Sequence, residues 1–98
     1  MSRPSDPIAP HPLSFRGADG VSLRADARGD ASAPPVLFLH GGGQTRHAWG
    51  GSAAALARDG RYAITLDLRG HGESDWATGD APYRLERFAA DLRAVIEQ

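Results

Sequence analysis

The chain has 98 residues and a formal net charge of −1, with 23% charged and 41% hydrophobic side chains, which describes one small globular unit or a piece of one. That balance leaves no electrostatic footprint for nucleic acid or an anionic membrane, and no apolar run is long enough to span a bilayer. The absence of cysteine and lysine excludes disulfides, thiolate nucleophiles, zinc–thiolate sites and a P-loop.

Residues 1–10 hold Pro4, Pro7 and Pro10 and little to bury, so a flexible leader is expected there. It has no apolar signal region, and a cytoplasmic protein is the default expectation. Two short alternating runs follow. Leu13 and Phe15 share one face of the first; in the second, Val21, Leu23, Ala25 and Ala27 oppose Ser22, Arg24, Asp26 and Arg28. Period-two alternation predicts half-buried strands, and Asp19-Gly20 between them predicts an antiparallel hairpin.

Residues 29–35 form a connection, after which Val36-Leu37-Phe38-Leu39 reads as a short buried strand. It ends abruptly in His40-Gly41-Gly42-Gly43-Gln44. Three glycines leave the backbone without Cβ atoms, so its N–H groups can approach a ligand closely. Residues 45–58 are alanine-rich and helical, with Gly50-Gly51 weakening the first part and Thr45 or Ser52 as alternative caps. Asp59-Gly60 stops that helix, and residues 62–67 predict another strand. Strand, helix, strand makes a parallel, right-handed βαβ unit. A long Gly-rich loop covers 68–83, and residues 84–98 place Leu85, Phe88, Ala89, Leu92, Val95 and Ile96 at helical spacing.

The predicted order is β-β-β-α-β-α, an α/β layout that stops with no strand after its last helix. An apolar helical stripe needs a sheet beneath it. The expected sheet has at most four strands and looks unfinished.

Two loops follow buried strands: His40-Gly41-Gly42-Gly43-Gln44 and Asp67-Leu68-Arg69-Gly70-His71-Gly72-Glu73-Ser74-Asp75-Trp76. In this order, separated by one helix, they resemble the start of an α/β-hydrolase. The likeness covers residues 11–98 as an element order, with the two loops as its specific part. The second loop makes the chain more similar to the epoxide hydrolase, dehalogenase and haloperoxidase-like branch than to the lipases that share the glycines. The resemblance implies that 11–98 is the N-terminal portion of an α/β-hydrolase sheet, truncated before the nucleophile elbow. It also implies that a fifth strand pairs with residues 36–39. Without it, that apolar edge is open to self-association, and the isolated chain is expected to be marginally stable or associated.

The resemblance gives the glycine loop a task. Acyl transfer develops negative charge on a carbonyl oxygen, and fixed backbone N–H groups stabilise it; losing one such donor costs about 2.7–4 kcal/mol. In the family one donor comes from this loop and the other from the residue after the nucleophile. The matching position is Gly42, with Gly43 beside it. Gln44, Trp49 and Trp76 would line the substrate wall, with core packing or loop anchoring as the alternative for the two tryptophans. Gly41, Asp67, Arg69, Gly70, Gly72 and Ser74 are expected to shape the loops.

His40 is not the expected general base, because the family's catalytic histidine lies near the far C-terminus. His40 and His71 are read as loop-bracing residues, His11 as preceding a proline at the first strand, and His47 as sitting at the helix start. His40, His47 and His71 lack H-x-x-x-H spacing and a nearby carboxylate pair, so no metal is expected. Gly72-Glu73-Ser74-Asp75-Trp76 is the nearest match to a G-x-S-x-G elbow but has tryptophan at the second glycine, so Ser74 is expected to bond its own turn. Ser52 lacks the pattern as well. Gly70-His71-Gly72 lacks the third glycine of a dinucleotide fingerprint and no helix opens there.

The expectation is therefore a fragment of a cofactor-independent hydrolase acting on a small apolar ester, epoxide or halide. Its nucleophile–acid–histidine triad would lie beyond this chain, and the fragment alone would be inactive. The rivals are a standalone binding or interaction module and a non-hydrolytic member of the fold.

Overall fold

The computed structural model describes residues 9–41, 43–75 and 85–98. Residues 1–8 of the expected leader, Gly42 of the glycine loop, Trp76 with the rest of the expected loop to residue 83, and Arg84, the first residue of the expected last helix, lie outside the described residues.

The strands are β1 (His11–Arg16), β2 (Ser22–Arg28), β3 (Pro35–Leu39) and β4 (Tyr62–Leu66); the helices are α1 (Gly50–Arg58) and α2 (Leu85–Ile96). They form one sheet in the order β1-β2-β4-β3. β1 and β2 pair antiparallel with His11 opposite Ala27 and Arg16 opposite Ser22. The turn between them is a single 3₁₀ turn in which Asp19 takes φ 60°, as the Asp-Gly signal predicted. β2 and β4 are antiparallel, whereas β3 and β4 run parallel with Val36 opposite Ala63 and Leu39 opposite Leu66. The expected element order is the one observed.

Alternation decides which residues meet which helix. Leu23, Ala25 and Leu66 are buried on one face with Val95 of α2, and Leu13, Phe15, Leu37 and Ile64 pack around them. Phe38, one residue on from Leu37, points to the other face and meets the Trp49 ring, with centroids 5.6 Å apart. α1 lies against β4 and buries its small Ala53 and Ala57.

The start of α1 differs from both expectations. Thr45 does act as a cap, but of a 3₁₀ turn, Arg46–Trp49, that precedes the helix; its Oγ1 accepts the His47 N–H. α1 then begins at Gly50, so Ser52 lies inside the helix rather than at its cap. The turn exists because Arg46 is drawn inward by carboxylates, described below. At the other end, Gly60 takes φ 85°, and the Gly60 and Arg61 N–H groups bond the Ala57 and Leu56 carbonyls, a left-handed glycine stop.

Candidate active site

β3 and β4 are adjacent and parallel, so the loops that leave their carboxyl ends emerge side by side. Each loop is closed on itself and then bonded to the other.

The glycine loop is a turn in which the Gln44 N–H bonds the Gly41 carbonyl at 3.1 Å, with Gly43 at φ 78°. The Gln44 side chain folds back, its Oε1 accepting the Gly41 N–H at 3.0 Å. Gln44, expected on the substrate wall, thus has its amide oxygen engaged in holding the loop. Trp49 is 39% exposed; its indole N–H donates to the Leu39 carbonyl at 2.8 Å, which fixes the ring at the end of β3 beside the loop. Trp76 and Gly42 lie outside the described residues.

His40 and His71 join the loops reciprocally. The Leu68 N–H donates to His40 Nε2 at 3.0 Å, so that nitrogen is an acceptor and the proton sits on Nδ1, which donates to the Gly41 carbonyl at 2.8 Å. His71 is arranged the same way. The Gly43 N–H donates to its Nε2 at 3.2 Å, and its Nδ1–H faces the Arg69 carbonyl at 3.0 Å. The two rings lie 4.9 Å apart. Gly43, one of the two glycines expected to donate to an oxyanion, therefore has its N–H directed at His71.

Beneath the loops lies a charge network that the sequence reading did not single out. Arg46 is buried and reaches three carboxylates: Asp26 on β2 at 3.0 Å, Asp67 at the end of β4, and Glu73 in the second loop. Asp67 is fully buried and also accepts the Arg46 N–H at 2.6 Å and the Glu73 N–H at 3.0 Å. Burial on its own would raise the Asp67 carboxyl; the two backbone N–H groups and the Arg46 guanidinium outweigh it and hold the carboxyl below its ordinary range. Burial would likewise lower Arg46, and its bonds to Glu73, Asp67 and Asp26 reverse that, raising it above the usual guanidinium value. Glu73 is lowered by its bond to Arg46.

A second ion pair anchors the far side of the loop. Arg69 is fully buried and holds Asp91 of α2 through two bonds of 2.6 Å, while Asp91 Oδ1 also accepts the Ala18 N–H at 2.8 Å. One loop arginine thus ties α2 to the β1–β2 turn.

Ser74 is buried; its N–H bonds the His71 carbonyl and its Oγ donates to the Asp67 carbonyl at 2.6 Å, both within its own loop, and the Oγ also accepts the Arg24 N–H of β2 at 2.8 Å. Asp75 continues that attachment by exchanging bonds with Ser22 through its N–H and its Oδ2, each at 2.8 Å. The loop is thus laced to β2 as well as closed on itself. Gly70 donates its N–H to the Asp75 carbonyl at 2.9 Å, and Gly72 sits against Asp67.

His47 lies exposed in the 3₁₀ turn. An apolar cavity of about 420 Å³ opens beside His71, between the carboxyl ends of the strands and α2, with Leu39, Leu68, Phe88 and Leu92 in its wall.

What this geometry can do chemically is hold a glycine backbone rigidly at a strand terminus next to an apolar space. Among the described residues there is no serine hydroxyl bonded to a histidine, so the nucleophile–base pair of acyl transfer is not among them.

Comparison with known proteins places the chain. A family model described as alpha/beta hydrolase fold matches residues 34–98. An esterase of Mycobacterium tuberculosis is 49% identical over 71 residues, covering 72% of this chain and 22% of the esterase. Epoxide hydrolase A of the same organism is 32% identical over 79 residues, covering 81% of this chain and 24% of that protein. Among solved structures, an epoxide hydrolase from Vigna radiata superposes with a TM-score of 0.82 at 26% identity, covering 90% of this chain and 28% of that one. The chain thus spans about a quarter of the length of these relatives.

Proposed function

We propose a hydrolytic role on a plain premise: the chain belongs to the α/β-hydrolase fold family. The whole protein would hydrolyse a small apolar ester, epoxide or halide without a cofactor. Its triad would lie in a segment following these 98 residues. The esterase and the epoxide hydrolase among the relatives support hydrolysis and differ in substrate. The elbow residue would separate those chemistries, serine for ester cleavage and aspartate for epoxide or halide.

In this reading the glycine loop supplies one oxyanion donor. Gly42 is the better candidate of the two glycines, because the Gly43 N–H is engaged by His71. Trp49, exposed at the end of β3, and Trp76 would contribute to the substrate wall. The observation that carries the reading is the pair of loops at the carboxyl ends of two adjacent parallel strands, cross-bonded so that the glycine backbone is held before any substrate arrives.

The test is ester turnover by the 98-residue chain. With no nucleophile–base pair among its described residues, it should match a heat-denatured control. Saturable hydrolysis well above that control, abolished by Gly42→Pro, would overturn the assignment of the nucleophile to a later segment.

A further inference from the structure

β1 and β3 are the edge strands of the described sheet, and their backbone groups decide what each edge can take. Along an edge strand every second residue turns its N–H and C=O outward. In β3 the Pro34 carbonyl bonds the Tyr62 N–H, so the outward residues are Pro35, Leu37 and Leu39. Pro35 has no N–H, and the Leu39 carbonyl is filled by the Trp49 indole. The edge therefore offers the Pro35 carbonyl, both groups of Leu37 and the Leu39 N–H. In β1 the outward residues are Pro12, Ser14 and Arg16. There the Gln98 side chain takes both backbone groups of Arg16, its Oε1 accepting the N–H at 3.1 Å and its Nε2 donating to the carbonyl at 2.7 Å.

The pattern on β3 is complementary to itself. We infer that a second copy of this chain occupies that edge, with β3 paired antiparallel to β3 about a two-fold axis at Leu37, and that the joined sheet ends there because Gln98 plugs β1. About that axis each Leu37 exchanges both bonds with its counterpart, and each Leu39 N–H meets a Pro35 carbonyl, which makes two bonds of either kind. The donor that Pro35 lacks falls opposite the carbonyl that Trp49 already fills, so no group on the shared edge is left unmet. The indole reaches that carbonyl from the Phe38 face, whereas the proline ring of the pairing strand lies on the opposite face with Leu37.

No other arrangement does as well. Moving the pairing one ladder step sets Leu37 against Pro35, or against the filled carbonyl of Leu39, and loses half of the bonds. Pairing β1 with β1 about Ser14 loses the same half, because the Arg16 groups are taken. The side chains agree with the backbone: Leu37 opposes Leu37, Leu39 opposes Pro35 and Val36 opposes Phe38, all apolar and without like charges. The pairing is independent of the hydrolytic reading, and a strand from a following segment would compete for the same groups.

Sedimentation of the 98-residue chain should give a mass that rises with concentration and levels off at about twice 10.4 kDa. In the dimer the Leu37 and Leu39 amides should exchange at least about tenfold more slowly than after dilution to monomer, while the Ser14 amide exchanges freely in both. In a mixture of labelled and unlabelled chains, isotope-filtered spectra should place the Val36 Hα against the Phe38 Hα of the other copy, the close pair of this register. Trp49→Phe empties the Leu39 carbonyl and makes a register about Phe38 equal in bonds, so a second contact, Phe38 to Phe38, should appear. Gln98→Ala, at an exposed position, opens β1, and the mass should pass beyond the dimer. A chain that stays monomeric at millimolar concentration would overturn the proposal, whether its Leu37 and Leu39 amides exchange freely or are covered by its own residues. So would a dimer without the Val36–Phe38 contact, a Trp49→Phe dimer that keeps a single register, or a Gln98→Ala mass that still levels off at the dimer.

Discussion

Gly72 shows how tightly the second loop is drawn around its carboxylate. It sits at φ 51°, and a Cβ there would lie 2.3 Å from Asp67 Oδ2. Gly72→Ala should therefore lower unfolding free energy by about 2 kcal/mol or more, through both the left-handed backbone and the displaced carboxylate. Gly51→Ala is the matched control: it is helical with nothing within 4 Å, and should stabilise by about 0.5–1 kcal/mol. Chemical denaturation of the two variants checks both signs. Asp67 itself predicts a pH dependence. Its folded pKa lies below the ordinary 3.8, so the unfolded chain takes up the proton first on acidification. Its contribution is full above that ordinary value and is lost as the pH falls through the lower folded one. Glu73, shifted the same way, adds to it in the same window. The urea midpoint should drop as the pH falls below about 4, and Asp67→Asn should flatten that slope while costing about 3 kcal/mol at neutral pH by removing one of the three carboxylates that hold buried Arg46. The sequence made Asp67, Gly70 and Gly72 visible as a loop motif. Arg46 stayed hidden because its partners come from β2 and the second loop, and nothing in a one-dimensional pattern marks a buried arginine in an otherwise polar stretch.

Among the elements, the strands and α2 were legible because each obeys its own period: Leu23, Ala25 and Ala27 alternate into the core, and Val95 falls on the helical stripe that meets them. The opening of α1 was not, because the 3₁₀ turn is imposed by Arg46 reaching for Asp67 rather than by propensity around Gly50-Gly51. The long-range bond from Arg24 on β2 to Ser74 was hidden for a related reason: serine in a Gly-rich loop signals only the bonds it makes within that loop. α2 depends on Arg69. Asp91→Asn should cost about 3 kcal/mol by leaving a buried guanidinium half-paired, and the α2 amides should lose hydrogen-exchange protection ahead of those in β2. β3 is one of the two edge strands of the described sheet, with Leu39 38% exposed. We expect it to drive self-association of the 98-residue chain, seen as a weight-average mass that rises with concentration. Leu39→Lys, a charge placed on that edge, should bring the mass back to a monomer. A sharp cooperative melt of a concentration-independent monomer would count against an open edge.

For the whole molecule, fold and loops point the same way. The sheet order places the two loops together, the family match covers residues 34–98, and the matched part makes up about a quarter of the relatives' length. The loops' type was readable from their glycines and their place after strands. Their mutual bonding was not, because His40 and His71 are 31 positions apart in the chain and only the parallel register of β3 and β4 brings their rings within 4.9 Å. The central claim is that these loops are one part of a hydrolase whose nucleophile lies in a later segment. The most direct measurement is the intact mass of the native product in its own cells, captured with an antibody against residues 85–98. The account predicts a species much heavier than 10.4 kDa that carries this sequence. A product of 10.4 kDa and nothing larger would contradict it, and would make the chain's binding partner, rather than its substrate, the thing to find.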